Sequence, residues 1–237
     1  MRVPLVGAGV VAVAAALRHG GPALVPVMPL AAGVMGIPTR IDSRDGVAIT
    51  FDDGPHPQAT PRVLELLAAE DAEATFFLVG EQVGRYPELA GEVAARGHAV
   101  GVHCYRHRNM LRLTSRQIRE DLKLATSAIA DAIEREPVLH RPPYGTFSAG
   151  GLAEARRALR PILWSRWGRD WRSDATSTDI VCRSTRDLAA GDVILLHDSD
   201  AYSDPGCWRA MADALPRLIE AVRTSGLEPE AVEISAP

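Results

Sequence analysis

The stretch GVAITFDDGP, residues 46–55, contains the signal that decides the fold. Its first part is an apolar run with β-branched residues, which predicts a buried strand. Two adjacent carboxylates, Asp52 and Asp53, follow, and Gly54-Pro55 then ends the strand because both residues favour turns. The carboxylates are therefore expected at the rim of a sheet, where their charges repel each other. A bound divalent cation would relieve this repulsion and favour the ionised forms.

Apolar strands and helical segments alternate along the rest of the chain. Strands are predicted over residues 74–80, 98–104, 161–167 and 192–199, and residues 138–145 are predicted as a strand that runs into a Pro-rich turn. Helices are predicted over residues 60–70, 87–97, 148–159, 178–189 and 207–225, with a further one that begins at a capping box of Thr114 and Gln117. This order predicts an α/β fold with a mainly parallel sheet, either a (β/α) barrel or an open doubly wound sheet.

Polar residues follow the predicted strands, at the ends where α/β folds place their active sites. Those residues are Asp52-Asp53, His103 with His107, Arg141 to Tyr144, Asp170-Trp171 and His197-Asp198.

Composition sets broad limits on function. The chain has 237 residues, of which 46% are hydrophobic and 24% charged, so one α/β domain with a full core is expected. The formal net charge of -4 gives no electrostatic case for binding nucleic acid. Three cysteines without a CxxC spacing indicate neither a disulfide framework nor a zinc ribbon.

The N-terminal segment is apolar. Residues 3–17 carry no charge, and this run resembles the hydrophobic region of a signal peptide more than a full membrane span. Four prolines within residues 20–39 argue against one long helix there. We interpret residues 1–43 as a signal, an anchor or an extension, with possible association to a membrane through residues 3–39. The expected location is extracytoplasmic, secreted or anchored, and the alternative is a buried extension or a wrongly assigned start.

The segment HCYRH, residues 103–107, indicates metal binding. Residues four apart share a face on a helical turn, so the imidazoles of His103 and His107 could reach one ion. Two unrelated loop histidines are the alternative, just as Asp52-Asp53 could be a turn or a helix cap. Two histidines and one carboxylate, with a position left for water, are typical of a catalytic metal site. The second aspartate would then be free to act as a base.

Two later segments supply charged partners. In HRPPYG, residues 140–145, Arg141 could orient a carboxylate through a bidentate contact, or it could be a solvated residue of a rigid turn. In ILLHDSD, residues 194–200, His197 comes directly after a predicted buried strand. Near a carboxylate such as Asp170 it could be held protonated as a general acid, and a histidine without function at a strand end is the alternative.

Taken in order, these motifs resemble the polysaccharide deacetylase family, the chitin-oligosaccharide deacetylase homology domain or carbohydrate esterase family four. TFDDGP is similar to its first motif, HCYRH to H-[ST]-x-x-H and RPPYG to R-x-P-[YF]. Asp170-Trp171 resembles the fourth motif and Leu195-Leu196-His197 the fifth, L-x-H. The resemblance covers residues 44–237, which we interpret as the catalytic domain. It implies a distorted (β/α) barrel, and five motifs in the family's order make chance an unsatisfactory explanation.

The resemblance also implies the metal chemistry of a deacetylase. Asp53, His103 and His107 would bind a divalent metal, with zinc favoured, and the metal would acidify a water. Asp52 would take the proton from this water, which attacks an acetamide carbonyl of an N-acetylated glycan. The metal and the backbone N–H of Tyr144 would stabilise the oxyanion.

The remaining site residues are assigned by the same resemblance. His197 would protonate the departing sugar amine, and Asp170 would keep this histidine protonated. Arg141 would orient the base. Trp171 and Leu195 would form the walls of the acetyl pocket.

Two positions depart from the family's pattern. Cys104 stands where the family has Ser or Thr, a hydroxyl that supports the ligand loop, and a thiol is a poorer hydrogen-bond donor. Trp167 stands where some members carry a further aspartate upstream of Asp170. We interpret Cys104 as a tolerated change.

Three alternatives stay open from the sequence. One is an O-deacetylase of acetylated polysaccharide such as xylan, since the same site can hydrolyse an ester. Another is a catalytically weak carbohydrate-binding protein, which only Cys104 supports. A metal-dependent phosphoesterase is a poorer match, because ligands for a second metal and a phosphate-binding loop are missing from the sequence.

Overall fold

The computed structural model describes residues 19–25 and 29–233. The strands are β1 (Gly46–Asp52), β2 (Thr75–Leu78), β3 (Ala99–Val102), β4 (Leu139–His140), β5 (Arg160–Pro161), β6 (Arg166–Trp167), β7 (Val193–His197) and β8 (Glu228–Glu230). The α-helices are α1 (Pro29–Met35), α2 (Ala59–Ala69), α3 (Gly80–Arg85), α4 (Pro87–Ala95), α5 (Ser115–Ile133), α6 (Ala149–Ala155), α7 (Ser177–Thr185) and α8 (Trp208–Thr224).

The sheet is parallel and curled, with the strand order β5-β4-β3-β2-β1-β7-β6 and with β8 paired to the start of β1. Helices pack against it, so the predicted α/β fold and the distorted (β/α) barrel are confirmed. The curl is incomplete, because β5 and β6 form the two free edges of this sheet in the described part of the chain.

Strand β1 lies inside the sheet and is buried, as its apolar run predicts. All seven of its residues are buried, and it pairs in parallel with both β2 and β7. Central strands of parallel sheets are covered on both faces, which is why the run GVAITF shows no polar alternation. The register pairs Asp52 with Phe77 on one side and with His197 on the other. Two predicted site residues are thereby fixed on neighbouring strands.

The prediction of one strand over residues 161–167 is wrong. The segment contributes β5 to one edge of the sheet and β6 to the opposite edge, where these strands pair with β4 and β7. Residues 162–165 connect the two edges, and two of their carbonyls accept hydrogen bonds from a side chain, the buried guanidinium of Arg141. A seven-residue apolar run has the same sequence pattern whether it forms one strand or connects two edge strands across the barrel opening. Periodicity therefore could not distinguish these two structures.

Other boundaries differ by smaller amounts. Helix α3 and strand β8 have no counterpart among the predicted elements, because both are short and lack a clear periodicity. The predicted helix over residues 178–189 ends at Thr185. The capping box of Thr114 and Gln117 at the start of α5 is confirmed, with the Gln117 N–H donating to Thr114 Oγ1 at 3.3 Å and the Thr114 N–H donating to Gln117 Oε1 at 2.9 Å.

About half of the predicted N-terminal segment, residues 1–18 and 26–28, lies outside the described residues, and this half includes the uncharged run over residues 3–17. Of its described part, Val25 and Ile37 are buried in the core, and Arg156 donates to the carbonyls of Met35 and Gly36. Among the residues that the structure describes, no helix has both the length and the apolar character needed to cross a bilayer.

Candidate active site and metal centre

Asp53, His103 and His107 come together at the carboxyl end of the sheet. The Nε2 atoms of the two histidines lie 3.4 and 3.2 Å from Asp53 Oδ1, and one potential ligand atom from each residue lies within 4.8 Å of the others. Asp53 Oδ1 is buried without a hydrogen bond from the described residues. Nitrogen and carboxylate oxygen are the ligands of catalytic zinc sites, so this donor set fits a divalent metal.

The environment keeps Asp53 ionised. Burial opposes this, but contacts with His103 and His107 outweigh it and hold the pKa of Asp53 far below its usual range. The main chain at Asp53 has a φ of 79°, in the left-handed region that non-glycine residues rarely adopt. Such conformations persist where surrounding contacts fix them, and they cluster at functional sites.

The two histidines lie on a loop after β3, so the prediction that a helical turn brings them together is wrong. Cys104, between them, has a φ of 65°, which breaks any helix at this point. The loop is anchored to α3, because the N–H groups of Gly80 and Glu81 each donate at 2.9 Å to the carbonyls of Cys104 and Tyr105. The H-x3-H spacing therefore identified a pair of histidines that do lie together, although the helical turn that it predicted is absent from this described loop.

A buried carboxylate that the sequence motifs did not reveal supports this loop from α5. Asp121 Oδ2 accepts hydrogen bonds from the N–H groups of Tyr105 and Arg106, at 2.6 and 3.3 Å. Asp121 Oδ1 accepts from the Arg108 guanidinium at 2.6 Å. The Asp121 carboxylate thus fixes two groups. One is the main chain between His103 and His107, and the other is the Arg108 side chain. The polar position of Asp121 on the buried face of α5 is the signal that could have found it.

We expect Asp121→Asn to weaken metal binding by about 10- to 100-fold, the usual effect of removing a group that orients metal ligands. The amide keeps the size of the carboxylate but loses its charge, and with it the ion pair to Arg108. Zinc titration followed by calorimetry measures the effect, with far-UV circular dichroism to establish that the fold is retained. Glu120→Gln is the matched control, because Glu120 is exposed on the same helix and forms a surface ion pair with Arg116. Equal zinc affinity in both variants would contradict the role of Asp121.

Asp52 is paired with the buried Arg141, but the contact is made by one guanidinium nitrogen and is not the bidentate contact that the sequence suggested. Arg141 donates through one terminal nitrogen to Asp52 Oδ1 and to Thr50 Oγ1, both at 2.8 Å. The Arg141 side chain is fully buried, and its guanidinium lies 4.1 Å from the centre of the Phe77 ring. Asp52 Oδ2 is left to face the metal site, 3.8 Å from His103 Nδ1. The second carboxylate is therefore held in place while one of its oxygens stays available.

His197 and Asp170 form the second predicted pair. Asp170 accepts from both His197 Nδ1 at 3.0 Å and the His197 backbone N–H at 2.7 Å. Burial works against a charged imidazole, but the Asp170 carboxylate outweighs it and raises the pKa of His197 to about 9. The imidazole is therefore protonated at neutral pH, with its Nε2 proton free to be donated.

This pair predicts a pH dependence. The raised pKa means that His197 acts as an acid below pH 9, so kcat should fall as pH rises through about 9. In Asp170→Asn the strongest influence that raises the pKa is gone and burial dominates, so the alkaline limb should move to below the ordinary histidine value of about 6.5. A pH–rate profile measures the shift, with the exposed Asp174→Asn as control. An alkaline limb that stays in place in Asp170→Asn would refute the assignment.

The carboxylates of Asp52 and Asp53, three histidines and several aromatic side chains line one pocket of about 330 Å³. Tyr144, Trp171 and Leu195 line it, as the sequence predicted. Trp164, Trp167 and Tyr202 also line it and were not predicted. The Tyr202 ring stacks on His107, with centroids 4.2 Å apart and planes within 11°. Tryptophan is common in cores as well as in ligand pockets, so these residues gave no distinct signal in the sequence.

Asp198 is a further buried carboxylate beneath the metal-site turn. Thr60 donates to its Oδ2 at 2.5 Å, and burial raises its pKa to about 7. A Cβ atom at Gly54 would lie only 2.4 Å from the Asp198 carboxylate. Glycine after Asp52-Asp53 is thus required by close packing, besides ending the strand.

The three cysteines are free. Cys104 is buried, and burial raises the pKa of its thiol well above the usual value, so the reactive thiolate is disfavoured. This environment supports the interpretation of Cys104 as a tolerated replacement within the ligand loop.

The fold and the site define a class: an α/β domain in which an Asp-His-His cluster that could hold a metal, a second aspartate and a further histidine line one pocket. The family model for polysaccharide deacetylase matches residues 40–159. The chain belongs to the polysaccharide deacetylase family.

Characterised relatives agree with this assignment. A peptidoglycan-N-acetylglucosamine deacetylase of Bacillus cereus is 37% identical over 73% of this chain and 81% of its own length. A chitooligosaccharide deacetylase of Azorhizobium caulinodans is 33% identical over 74% of this chain and 84% of its own. Among solved structures, a peptidoglycan N-acetylglucosamine deacetylase bound to an N-hydroxybenzamide superposes with a TM-score of 0.75 and 26% identity, covering 83% of this chain and 89% of that one.

Proposed function

We propose that this protein is a metal-dependent hydrolase that removes N-acetyl groups from a glycan containing N-acetylglucosamine and releases acetate. One observation carries the proposal: the Asp53–His103–His107 cluster lines the same pocket as Asp52 and His197, whose partners Arg141 and Asp170 are buried. A hydrolase that acts through water needs a base, an acid and a site where water is activated, and each has a candidate here.

Asp53, His103 and His107 would hold the metal, and zinc is the ion that we propose. Bound there, zinc would supply Lewis-acid activation of water and of the acetyl carbonyl. The buried ion pairs set the protonation states of the other groups. Asp52, held by Arg141, accepts a proton from water, and its neighbour Asp53 remains an ionised ligand.

His197 completes the reaction as the acid. It is protonated at neutral pH because of Asp170, so it can give its proton to the amine of the sugar as the C–N bond breaks. The backbone N–H of Tyr144 is proposed to donate to the oxyanion of the tetrahedral intermediate. Trp171 and Leu195 shape the part of the pocket that would receive the acetyl methyl group.

The names of the relatives support an N-acetylated glycan as substrate. One relative is named for peptidoglycan and another for chitooligosaccharide, and both names specify deacetylation. The aromatic lining of Trp164, Trp167 and Trp171 offers flat surfaces on which sugar rings can pack.

Substrate choice is tested by acetate release from chitotetraose and from an acetylated xylan oligomer, using the full chain loaded with zinc. We expect the N-acetylated oligomer to be the better substrate by kcat/KM. Release from acetylated xylan alone would replace the proposal by the O-deacetylase. Binding of chitotetraose without release from either glycan or from peptidoglycan fragments would favour a carbohydrate-binding protein.

We also propose that residues 44–237 form the catalytic domain and that the protein works outside the cytoplasm. The support for the location is the uncharged run over residues 3–17, together with a cell-wall glycan as substrate of one relative. Cell fractionation followed by immunodetection tests it, and a protein found only in the cytosolic fraction would contradict it.

A further inference from the structure

A pocket lined by arginines adjoins the candidate active site. It has a volume of about 350 Å³, and Trp167 lines both this pocket and the active-site pocket. Four arginines contribute to it: Arg166, Arg169, Arg183 and Arg186. They come from the segment around β6 and from α7 with the residue after it, so the fold brings together two separate parts of the sequence.

Three of these arginines have no carboxylate partner among the residues that the structure describes. Arg166 is committed, because it donates to Asp192 at 3.0 Å and to the carbonyls of residues 186 and 187. In the part of the chain that the structure describes, the side chains of Arg169, Arg183 and Arg186 form no ion pair, and all three are exposed. Unpaired guanidinium groups that face one concavity make it strongly positive.

The single acidic residue among those that line the described pocket does not cancel this charge. Asp179 accepts a hydrogen bond at 2.6 Å from Thr176, which caps the start of α7. One carboxylate opposes three unpaired guanidinium groups there, since Arg166 is already paired with Asp192. The planar fork of arginine matches the geometry of carboxylate and phosphate oxygens, so the chemistry selects an oxyanion as ligand.

Trp167 connects the arginine pocket to the site of reaction. Its ring centroid lies 5.5 Å from that of Trp171 and 6.0 Å from that of Trp164, and both of these tryptophans line the active-site pocket. The Arg169 guanidinium lies 5.2 Å from the Trp167 ring centre. Arg169 also directly precedes Asp170 in the chain. If the sugar rings of a glycan pack along the tryptophans, the substituents of a neighbouring sugar would therefore lie close to the arginines.

We propose that this pocket is a subsite for an oxyanion carried by the glycan, a carboxylate or a phosphate on a sugar close to the one that is deacetylated. The inference rests on the proposed function and deepens it, because it makes an acidic glycan the preferred substrate over a neutral chitin oligomer. The tryptophans bind the sugar rings, and the arginines select the charged substituent.

The test compares four glycans of equal length on the full, zinc-loaded chain. They are neutral chitotetraose, a tetrasaccharide of alternating N-acetylglucosamine and N-acetylmuramic acid, the methyl ester of its carboxylates, and chitotetraose with one phosphate. The variant is Arg183→Gln/Arg186→Gln. The control is Arg44→Gln/Arg96→Gln, which removes two exposed charges from loops at the amino ends of β1 and β3.

We expect the variant to raise KM for the acidic glycans by roughly three- to tenfold, the range that two partly exposed ion pairs provide. KM for chitotetraose and for the methyl ester should stay unchanged, as should kcat for every glycan. The preference for acidic glycans should also weaken as ionic strength rises. If only the carboxylate glycan responds, the ligand is a carboxylate, and if only the phosphorylated one responds, it is a phosphate.

Two results would overturn the subsite. One is an equal KM for the acid and its ester in the unmodified protein, and the other is an equal loss in the control variant. Failure of the proposed function is distinguishable, because it would show as no acetate release from any of the four glycans. Dissociation constants of the same glycans, measured by calorimetry, would then decide the subsite: tighter binding of the acid than of its ester supports it, and equal binding refutes it.

Discussion

Asp52→Asn should lower kcat for acetate release by about 10²- to 10⁴-fold, the contribution that a positioned general base makes. The amide fills the same space beside Arg141 and Thr50, but it cannot take a proton from water. One Asp52 oxygen is fixed by Arg141, and the other lies 3.8 Å from His103 Nδ1. KM should change much less than kcat, because the lost interaction is made in the transition state.

The adjacent aspartate provides the matched comparison. Asp53→Asn alters a proposed ligand, so this variant should lose both zinc and activity. Asp52→Asn should still bind one zinc ion per chain. Metal content by mass spectrometry and acetate release by an enzyme-coupled assay separate the two. Asp52→Asn with full activity, or with no bound zinc, would remove its assignment as base.

Arg141→Met should lower the free energy of unfolding by about 3–5 kcal/mol, the effect of breaking a buried ion pair by removing one partner. Arg141 is fully buried and donates to Asp52, to Thr50 and to the carbonyls of Ile162 and Leu163. Without the Arg141 guanidinium, the Asp52 charge and the carbonyls of Ile162 and Leu163 lose their buried hydrogen-bond donor. The Arg141 guanidinium also joins the segment that connects the two sheet edges, so its loss affects the closure of the barrel.

Urea denaturation measures this effect, and Arg157→Met is the control because Arg157 is exposed and has only a 4.0 Å contact with Glu154. In the double variant Asp52→Asn/Arg141→Met, part of the loss should be recovered, since neither charge is then left alone. A loss below about 1 kcal/mol for Arg141→Met, the size of an exposed ion pair, would show that the buried network is not needed for stability.

The sequence predicted those parts of the site in which an apolar strand ends directly in polar residues. Strand β1 and its site residues could be predicted because the apolar run ends directly in Asp52-Asp53. The same holds for β7 and His197. Parallel pairing then brings these ends together at one rim. This explains why residues from five separate motifs could be placed in one site.

Other features depend on contacts that no local pattern contains. Residues 161–167 were predicted as one strand, because the sequence does not show that Arg141 holds the connecting carbonyls between two edges. His103 and His107 were predicted on a helical turn, because the φ of Cys104 and the anchoring by Asp121 follow from the packing of α5 and α3. The arginine pocket is formed by segments that are distant in sequence, so its charge could be recognised only from the fold.

The most direct test of metal-dependent deacetylation is acetate release from chitotetraose by the full chain, before and after removal of metal with a chelator and again after zinc is added back. We predict that release stops on metal removal and returns when about one zinc per chain is bound, the number that one Asp-His-His site can hold. Asp53→Ala should not regain activity under the same conditions. Undiminished acetate release from the metal-free protein would contradict the metal centre as the origin of activity.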